Sequence, residues 1–293
     1  MTQASTHCWS NGQIKAREQG APSVASISFH LGTGVFDGIM AYWNRDHYYM
    51  HRAEEHLVRF RHGASCMGLA FPWSVEELLA GIMELLKQEP KGTQYVRPIA
   101  FRGGPELWVT GSEGRPVDVS IFTVRTEQHR DTDAPIRCEL SSVERISSRS
   151  IPPQIKVSGA YVNSFLARKM AEKSGYDDGF MFDREGHLAE ASAANVFLVN
   201  NDRLITPRLK PDVFPGITRK VVLEIARDRG IDACEAELQH KDLEDLAGVE
   251  GAFVCSTLME IRAVSKLGDR LLPTLELPLF QTLVSGFRAL THQ

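Results

Sequence analysis

The chain has 293 residues, 43% of them hydrophobic and 24% charged, with a formal net charge of -4. That composition suits a globular protein with a sizeable core and room for about two domains, and it gives no electrostatic reason to expect nucleic acid as a partner. Five scattered cysteines (Cys8, Cys66, Cys138, Cys234, Cys255) without a C-x-x-C pair point to reduced thiols and a cytoplasmic protein, and without a long apolar run or an apolar N-terminal core neither a membrane span nor a signal peptide is expected.

Taken in order, the stretch from Ser26 to Trp43 first reads as a strand, because Ile27, Phe29 and Leu31 alternate with small or polar residues. Glycines 32, 34 and 38 interrupt it with a spacing that does not fit a dinucleotide-binding loop. A helix is expected from Glu54 to Leu69, with Leu57, Phe60, Ala64 and Met67 on its buried face. Arg59 falls off that face, either solvated or reaching for an anion. His51 and His56 lack metal-site spacing, and no metal is expected. A second helix runs from Ser74 to Gln88, opened by a Ser74/Glu77 capping box. Tyr95 to Arg102 and Val117 to Arg125 read as strands. The polar tract that follows supplies a linker at 126–133, which separates a small N-terminal domain (1–125) from a larger C-terminal one (134–293).

The second domain alternates strands (Ile136–Val143, Gly179–Asp183, Asn195–Val199, Ala252–Ser256) with helices at Ser164–Lys173 and after Pro215-Gly216-Ile217-Thr218-Arg219. The arrangement expected is α+β, largely antiparallel with helices packed outside. Lys156, between Ile155 and Val157, has two readings. It is an edge-strand lysine with its head in water, or a desolvated amine suited to a Schiff base with a carbonyl. Thr218 is either a helix cap or part of a phosphate site at a helix N-terminus.

Several motifs then agree in order: IKVSGAY with Lys156 and Tyr161, Glu190 in E-x-x-x-x-N-x-F, and PGITR at 215–219. In this the chain resembles the fold-type IV pyridoxal-phosphate enzymes, most closely the branched-chain aminotransferases, over about Ser28 to Val264. The resemblance implies a two-domain α+β fold with pyridoxal 5'-phosphate (PLP) at the domain interface. It implies Lys156 as the catalytic lysine that carries the cofactor, Tyr161 at the ring hydroxyl and Glu190 at the pyridine nitrogen. Arg59 (in H-x-x-R), Ile217, Thr218 and Thr257 would hold the phosphate. Phe36, Tyr95 and Arg97 (in Y-x-R-P), with Thr257 and Leu258, would meet the substrate. It further implies an amino acid and a 2-oxo acid such as 2-oxoglutarate as substrates, a ping-pong cycle, and a homodimer or assembly of dimers. Leu31, Met40 and Leu258 depart from the family pattern, where tyrosine, arginine and alanine stand. The alternatives are a D-amino-acid or (R)-amine transaminase, an aminodeoxychorismate lyase, a non-catalytic relative of the fold, and an unrelated Schiff-base lyase or aldolase.

Overall fold

The computed structural model describes residues 3–104, 116–126, 134–244 and 248–292. Apart from Thr126, the expected linker at 126–133 lies outside the described residues. The chain separates into two units, one of Met1–Gln128, Ile155–Ala160 and His292–Gln293, the other of His129–Gln154 and Tyr161–Thr291. The lysine segment Ile155–Ala160 therefore groups with the N-terminal unit, although its sequence neighbours belong to the other.

The N-terminal unit is built on an eight-stranded sheet. Its strands are β1 (Gln3–Ala4), β2 (His7–Ser10), β3 (Gln13–Ala16), β4 (Val35–Phe36), β5 (Ile39–Asn44), β6 (His47–Met50), β7 (Gln94–Phe101) and β8 (Asp118–Arg125). The main path runs β3-β2-β8-β7-β5-β6, with β1 on β8 and β4 on β7. Helices α2 (Ala53–Cys66) and α3 (Val75–Gln88) cover one face. Leu57 and Phe60 from α2, and Leu78, Ile82 and Leu85 from α3, pack there against Val35, Ile39, Val96 and Ile121 of the sheet. The capping box is present in full, with the Ser74 hydroxyl accepting from the Glu77 amide and the Glu77 carboxylate accepting from the Ser74 amide.

The strand expected through Ile27, Phe29 and Leu31 is instead a short helix, α1 (Ile27–Leu31). A period of two over five residues is too short to decide between the forms. Gly32 settles it locally, ending the turn in the left-handed region at φ 65°. Ile27 is buried while Phe29 is 70% exposed. A Cβ on Gly32 would also lie 2.9 Å from the Gly159 Cα, so the lysine segment approaches here backbone to backbone. That segment is fixed by three main-chain bonds, from Phe36 N to Lys156 O (3.0 Å), Ser158 N to Gly34 O (2.8 Å) and Gly159 N to Gly32 O (2.7 Å).

The C-terminal unit holds a nine-stranded sheet flanked by helices. Its strands are β9 (Ile136–Leu140), β10 (Asp178–Phe182), β11 (Leu188–Ala191), β12 (Asn195–Asn200), β13 (Arg203–Pro207), β14 (Ala233–Ala236), β15 (Gly251–Ser256), β16 (Glu260–Leu267) and β17 (Arg270–Leu271). Pairing is mostly antiparallel, but β9 runs parallel to both β10 and β16, and β13 parallel to β14. Helices are α4 (Tyr161–Lys173), α5 (Ile217–Asp228), α6 (His240–Glu244) and α7 (Pro278–Thr291). On β12, Val196 and Leu198 enter one core while Phe197 and Val199 enter the other, under α5 and α7. Burial on both faces explains why this strand reads as an unbroken apolar run. Each unit is thus a sheet with helices on a face, the expected α+β architecture.

Ser74→Ala is expected to lower stability by about 1 kcal/mol. Gly32→Ala, strained by its φ and by the close approach of Gly159, is expected to cost more, roughly 1–3 kcal/mol. Urea unfolding of the two variants side by side checks both the size and the order.

Candidate active site

The sheet register of the N-terminal unit sorts the candidate substrate residues. Side chains alternate along a strand, and paired residues share a face. On β7, Val96 and Ala100 enter the helical core, so Tyr95, Arg97, Ile99 and Phe101 point to the other side. Phe36 pairs with Ile99 and Met40 with Tyr95, which brings both to that same side. The Arg97 guanidinium lies 4.4 Å from the Phe36 ring centroid and donates from Nη2 to the Tyr95 hydroxyl at 3.1 Å. Its buried Nε has no hydrogen-bond partner among the described residues. The Lys156 ammonium sits 5.6 Å from the same Phe36 ring. Gly38 makes room for this group, since a Cβ there would collide with the Tyr95 hydroxyl.

Asp37 points the other way from Phe36, towards α2, and is fully buried. Its carboxylate accepts two bonds from Arg59, Nε to Oδ2 and Nη2 to Oδ1, each 2.8 Å. His56 Nδ1 is 2.8 Å from Oδ1. An ionised carboxylate only accepts, so Nδ1 carries the proton. Burial would raise the Asp37 pKa, but the charge of Arg59 and the hydrogen bonds from His56 and Arg59 together hold it far below the usual carboxylate range. Arg59 therefore lies off the apolar stripe, as the periodicity places it, with a side chain that turns inward to a protein anion. Burial also lowers the pKa of Lys156, against the opposing charge of Asp37, and lowers that of His56. Lys156 is half-buried, between the two readings, with burial acting against its charged form. Arg59, Arg97 and the Asp37 carboxylate all act on the charge of Lys156, and guanidinium groups beside an amine suit anionic ligands.

In the C-terminal unit, Tyr161 is the first residue of α4. Glu190 lies on β11 with a buried carboxylate, 2.7 Å from Arg145 Nε through Oε1. Its Oε2 accepts from the Phe214 amide at 3.3 Å. Helix α5 begins at Ile217 behind Gly216, which has no side chain to cap it. Thr218 is inside the helix and does not fill the N-cap position. The first-turn amides of Ile217 and Thr218 therefore open a 12-residue helix whose dipole favours an anion. Thr257 and Leu258 form the turn between β15 and β16, with Leu258 47% exposed. The Met259 amide donates to Ser256 Oγ at 3.2 Å.

The register thus brings Phe36, Tyr95, Arg97 and Lys156 to one place in the N-terminal unit, with Arg59 beside them on Asp37. Glu190 and the Ile217–Thr218 turn are joined in the other unit through Phe214. The sequence assigned no role to Asp37, His56 or Arg145. The signal for Asp37 was a lone acid between Phe36 and Gly38. Arg145 sits in an irregular segment that carries no pattern.

A model of the family described as class IV amino-transferases matches residues 34–267. The chain belongs to the class IV aminotransferases. It is 34% identical to a probable branched-chain-amino-acid aminotransferase of Aquifex aeolicus, over 88% of this chain and 83% of that one. The solved branched-chain aminotransferase of Thermoproteus uzoniensis with norvaline superposes with a TM-score of 0.90 at 30% identity, covering 98% of this chain and 95% of the other. The T.th. branched-chain aminotransferase, complexed with N-(5'-phosphopyridoxyl)-L-glutamate, gives 0.89 at 28% identity, covering 99% and 95%. Class IV aminotransferases use pyridoxal 5'-phosphate, and so does this aminotransferase. Its residues fit that group. In the N-terminal unit Lys156 offers an amine whose pKa is lowered by burial, with Arg59 and Arg97 near enough to act on its charge; in the C-terminal unit Glu190 offers a buried carboxylate, and the α5 N-terminus suits an anion.

Asp37→Asn removes the Asp37 charge from Arg59 and is expected to destabilise the protein by about 3–5 kcal/mol at pH 7. Because the folded-state pKa of Asp37 is depressed, its contribution is present above the unfolded value of about 3.9 and is lost as pH falls through the folded value. The gap between wild type and variant in thermal unfolding should therefore narrow below about pH 4. A gap independent of pH down to the acid limit would contradict the ionic role.

Proposed function

We propose that this aminotransferase moves the amino group of a branched-chain L-amino acid to 2-oxoglutarate in a ping-pong cycle, the first product leaving before the second substrate enters. The observation that carries the reading is the Phe36–Arg97–Lys156 group, an aromatic ring and a half-buried amine beside a guanidinium whose Nε lacks a partner among the described residues. An aromatic wall suits an aliphatic side chain, and a guanidinium is the natural partner of a second carboxylate. The relatives named as branched-chain aminotransferases support the donor. The glutamate adduct held by the T.th. enzyme supports the acceptor.

Lys156 holds the cofactor and, once freed, moves the proton at the substrate α-carbon through Nζ. Its lowered pKa favours the neutral amine that this needs. The cofactor supplies an electron sink for the α-carbon. Glu190 keeps the ring nitrogen protonated, and Tyr161 hydrogen-bonds the ring hydroxyl. Arg59, Ile217, Thr218 and Thr257 hold the phosphate, which keeps the reacting atoms aligned. Phe36, Tyr95, Arg97, Thr257 and Leu258 receive the substrate. The enzyme works in the cytoplasm as a homodimer or an assembly of dimers. The exposed apolar stripe Val162, Phe165, Leu166 and Met170 on α4 supports an association surface.

A second reading, a D-amino acid or (R)-amine donor, draws on Met40. It packs with Tyr42 and Tyr95 where the resembled pattern has an arginine, so this face carries one cation fewer. The purified enzyme is expected to show a visible absorption band that L-leucine bleaches and 2-oxoglutarate restores. Bleaching by D-alanine or an (R)-amine but not by L-leucine would select the second reading. Lys156→Ala should abolish turnover. Arg97→Leu should raise the KM for 2-oxoglutarate by about tenfold to a hundredfold while changing that for L-leucine little. Equal effects on both substrates would remove Arg97 from the acceptor site.

A further inference from the structure

The motif residue Asn195 has no role in the scheme above, yet it is buried and occupies a specific place. It opens β12, paired with Cys255 of β15 in the interior of the sheet. Its Nδ2 donates to the Phe214 carbonyl at 2.9 Å. The Phe214 amide, at the other end of the same residue, donates to Glu190 at 3.3 Å. The Phe214 carbonyl also accepts from Gly216 N at 2.9 Å, closing the turn that leads into α5. Behind that turn, Arg219 in the first turn of α5 reaches the Pro207 carbonyl at 2.8 Å and pairs with Glu235.

Phe214 is therefore gripped at both ends. One grip is the carboxylate of Glu190, the other the carboxamide of Asn195. Gly216 shows how closely the second is fitted, because a Cβ there would collide with Asn195 Oδ1. Only glycine lets the turn lie flat against the carboxamide. The α5 N-terminus thus has its position set from Asn195 on the rigid sheet, while Phe214 ties it to Glu190.

We propose that Asn195 is a positioning residue for cofactor binding, clamping the Phe214 turn so that the phosphate-receiving amides of Ile217 and Thr218 stand at a fixed separation from the Glu190 carboxylate. The inference rests on the assignment of Glu190 and the α5 turn under Proposed function. A single rigid ligand that engages both groups gains from their separation being set beforehand, since ordering them on binding would weaken it. Partners that orient a binding group commonly change affinity by about 10–100-fold when removed.

The test titrates the apoenzyme with PLP and, separately, with pyridoxal, which lacks the phosphate, and follows absorbance. Wild type should bind PLP much more tightly than pyridoxal. Asn195→Ala should raise the apparent Kd for PLP about 10–100-fold and that for pyridoxal less than about threefold, a split that general loosening of the fold would not produce. Gly216→Ala, whose Cβ must push the carboxamide aside, should do the same. The two together should cost little more than either alone, because they break one contact. If Asn195→Ala does not fold, Asn195→Asp keeps the shape, removes the N–H donor and carries the same expectation. Retention of wild-type discrimination by the Asn195 variants, while Thr218→Ala loses it, would overturn the role of Asn195 and leave the phosphate assignment standing. Equal affinity of wild type for PLP and pyridoxal would instead overturn that assignment.

Discussion

The N-terminal unit depends on one buried carboxylate. Asp37, fully buried, takes two hydrogen bonds from Arg59 and one from His56, which is buried as well. At an effective dielectric near 20, two unit charges 4 Å apart interact by about 4 kcal/mol. That attraction offsets the desolvation of Arg59, which helix α2 carries to the sheet instead of leaving in solvent. The negative charge of Asp37 also opposes the fall in the Lys156 pKa that burial causes. One acid therefore serves stability and the basicity of the reactive amine together. It does so at a strand end, where alternation puts Phe36 on the Arg97 side of the sheet and Asp37 on the α2 side.

Much of this was legible in the sequence, and the limits have physical causes. Long periodic elements such as α3, β7 and β8 could be read from spacing, because many residues on one face outweigh local accidents. The five-residue α1 could not, since its alternation fits either form and the deciding feature is the left-handed Gly32 against Gly159, far away in the chain. Ordered motifs pointed to the reactive lysine. They did not reveal that Lys156 leaves its sequence neighbours to join β4, because that follows from three main-chain bonds between distant segments. Arg145 is the clearest miss. It meets Glu190 from a segment with no periodicity and no capping signal.

The glycines of the first motif show how the two kinds of information combine. G-x-G near a strand invites a phosphate loop, yet here the glycines serve close packing. Gly32 admits the backbone of the lysine segment, and Gly38 admits the Tyr95 hydroxyl. Their absence of side chains is what lets Lys156 and Tyr95 converge on Phe36. A glycine pattern is a statement about space, and what fills the space decides the chemistry.

The departures from the family pattern fall on positions unlike those of the charged pairs. Asp37 with Arg59, and Arg145 with Glu190, form ion pairs in which Asp37, Arg145 and Glu190 are buried, so removing one charge carries a large penalty. Leu31 and Leu258 are each more than 40% exposed in the single chain, and Met40 sits in a small apolar cluster with tyrosines. Such positions exchange side chains without stranding a charge, at a cost set by packing alone. Under the roles proposed for these three residues, substrate preference can change without a charged pair being disturbed. Class IV membership follows from the family match, while the proposed donor has to be read from replaceable side chains.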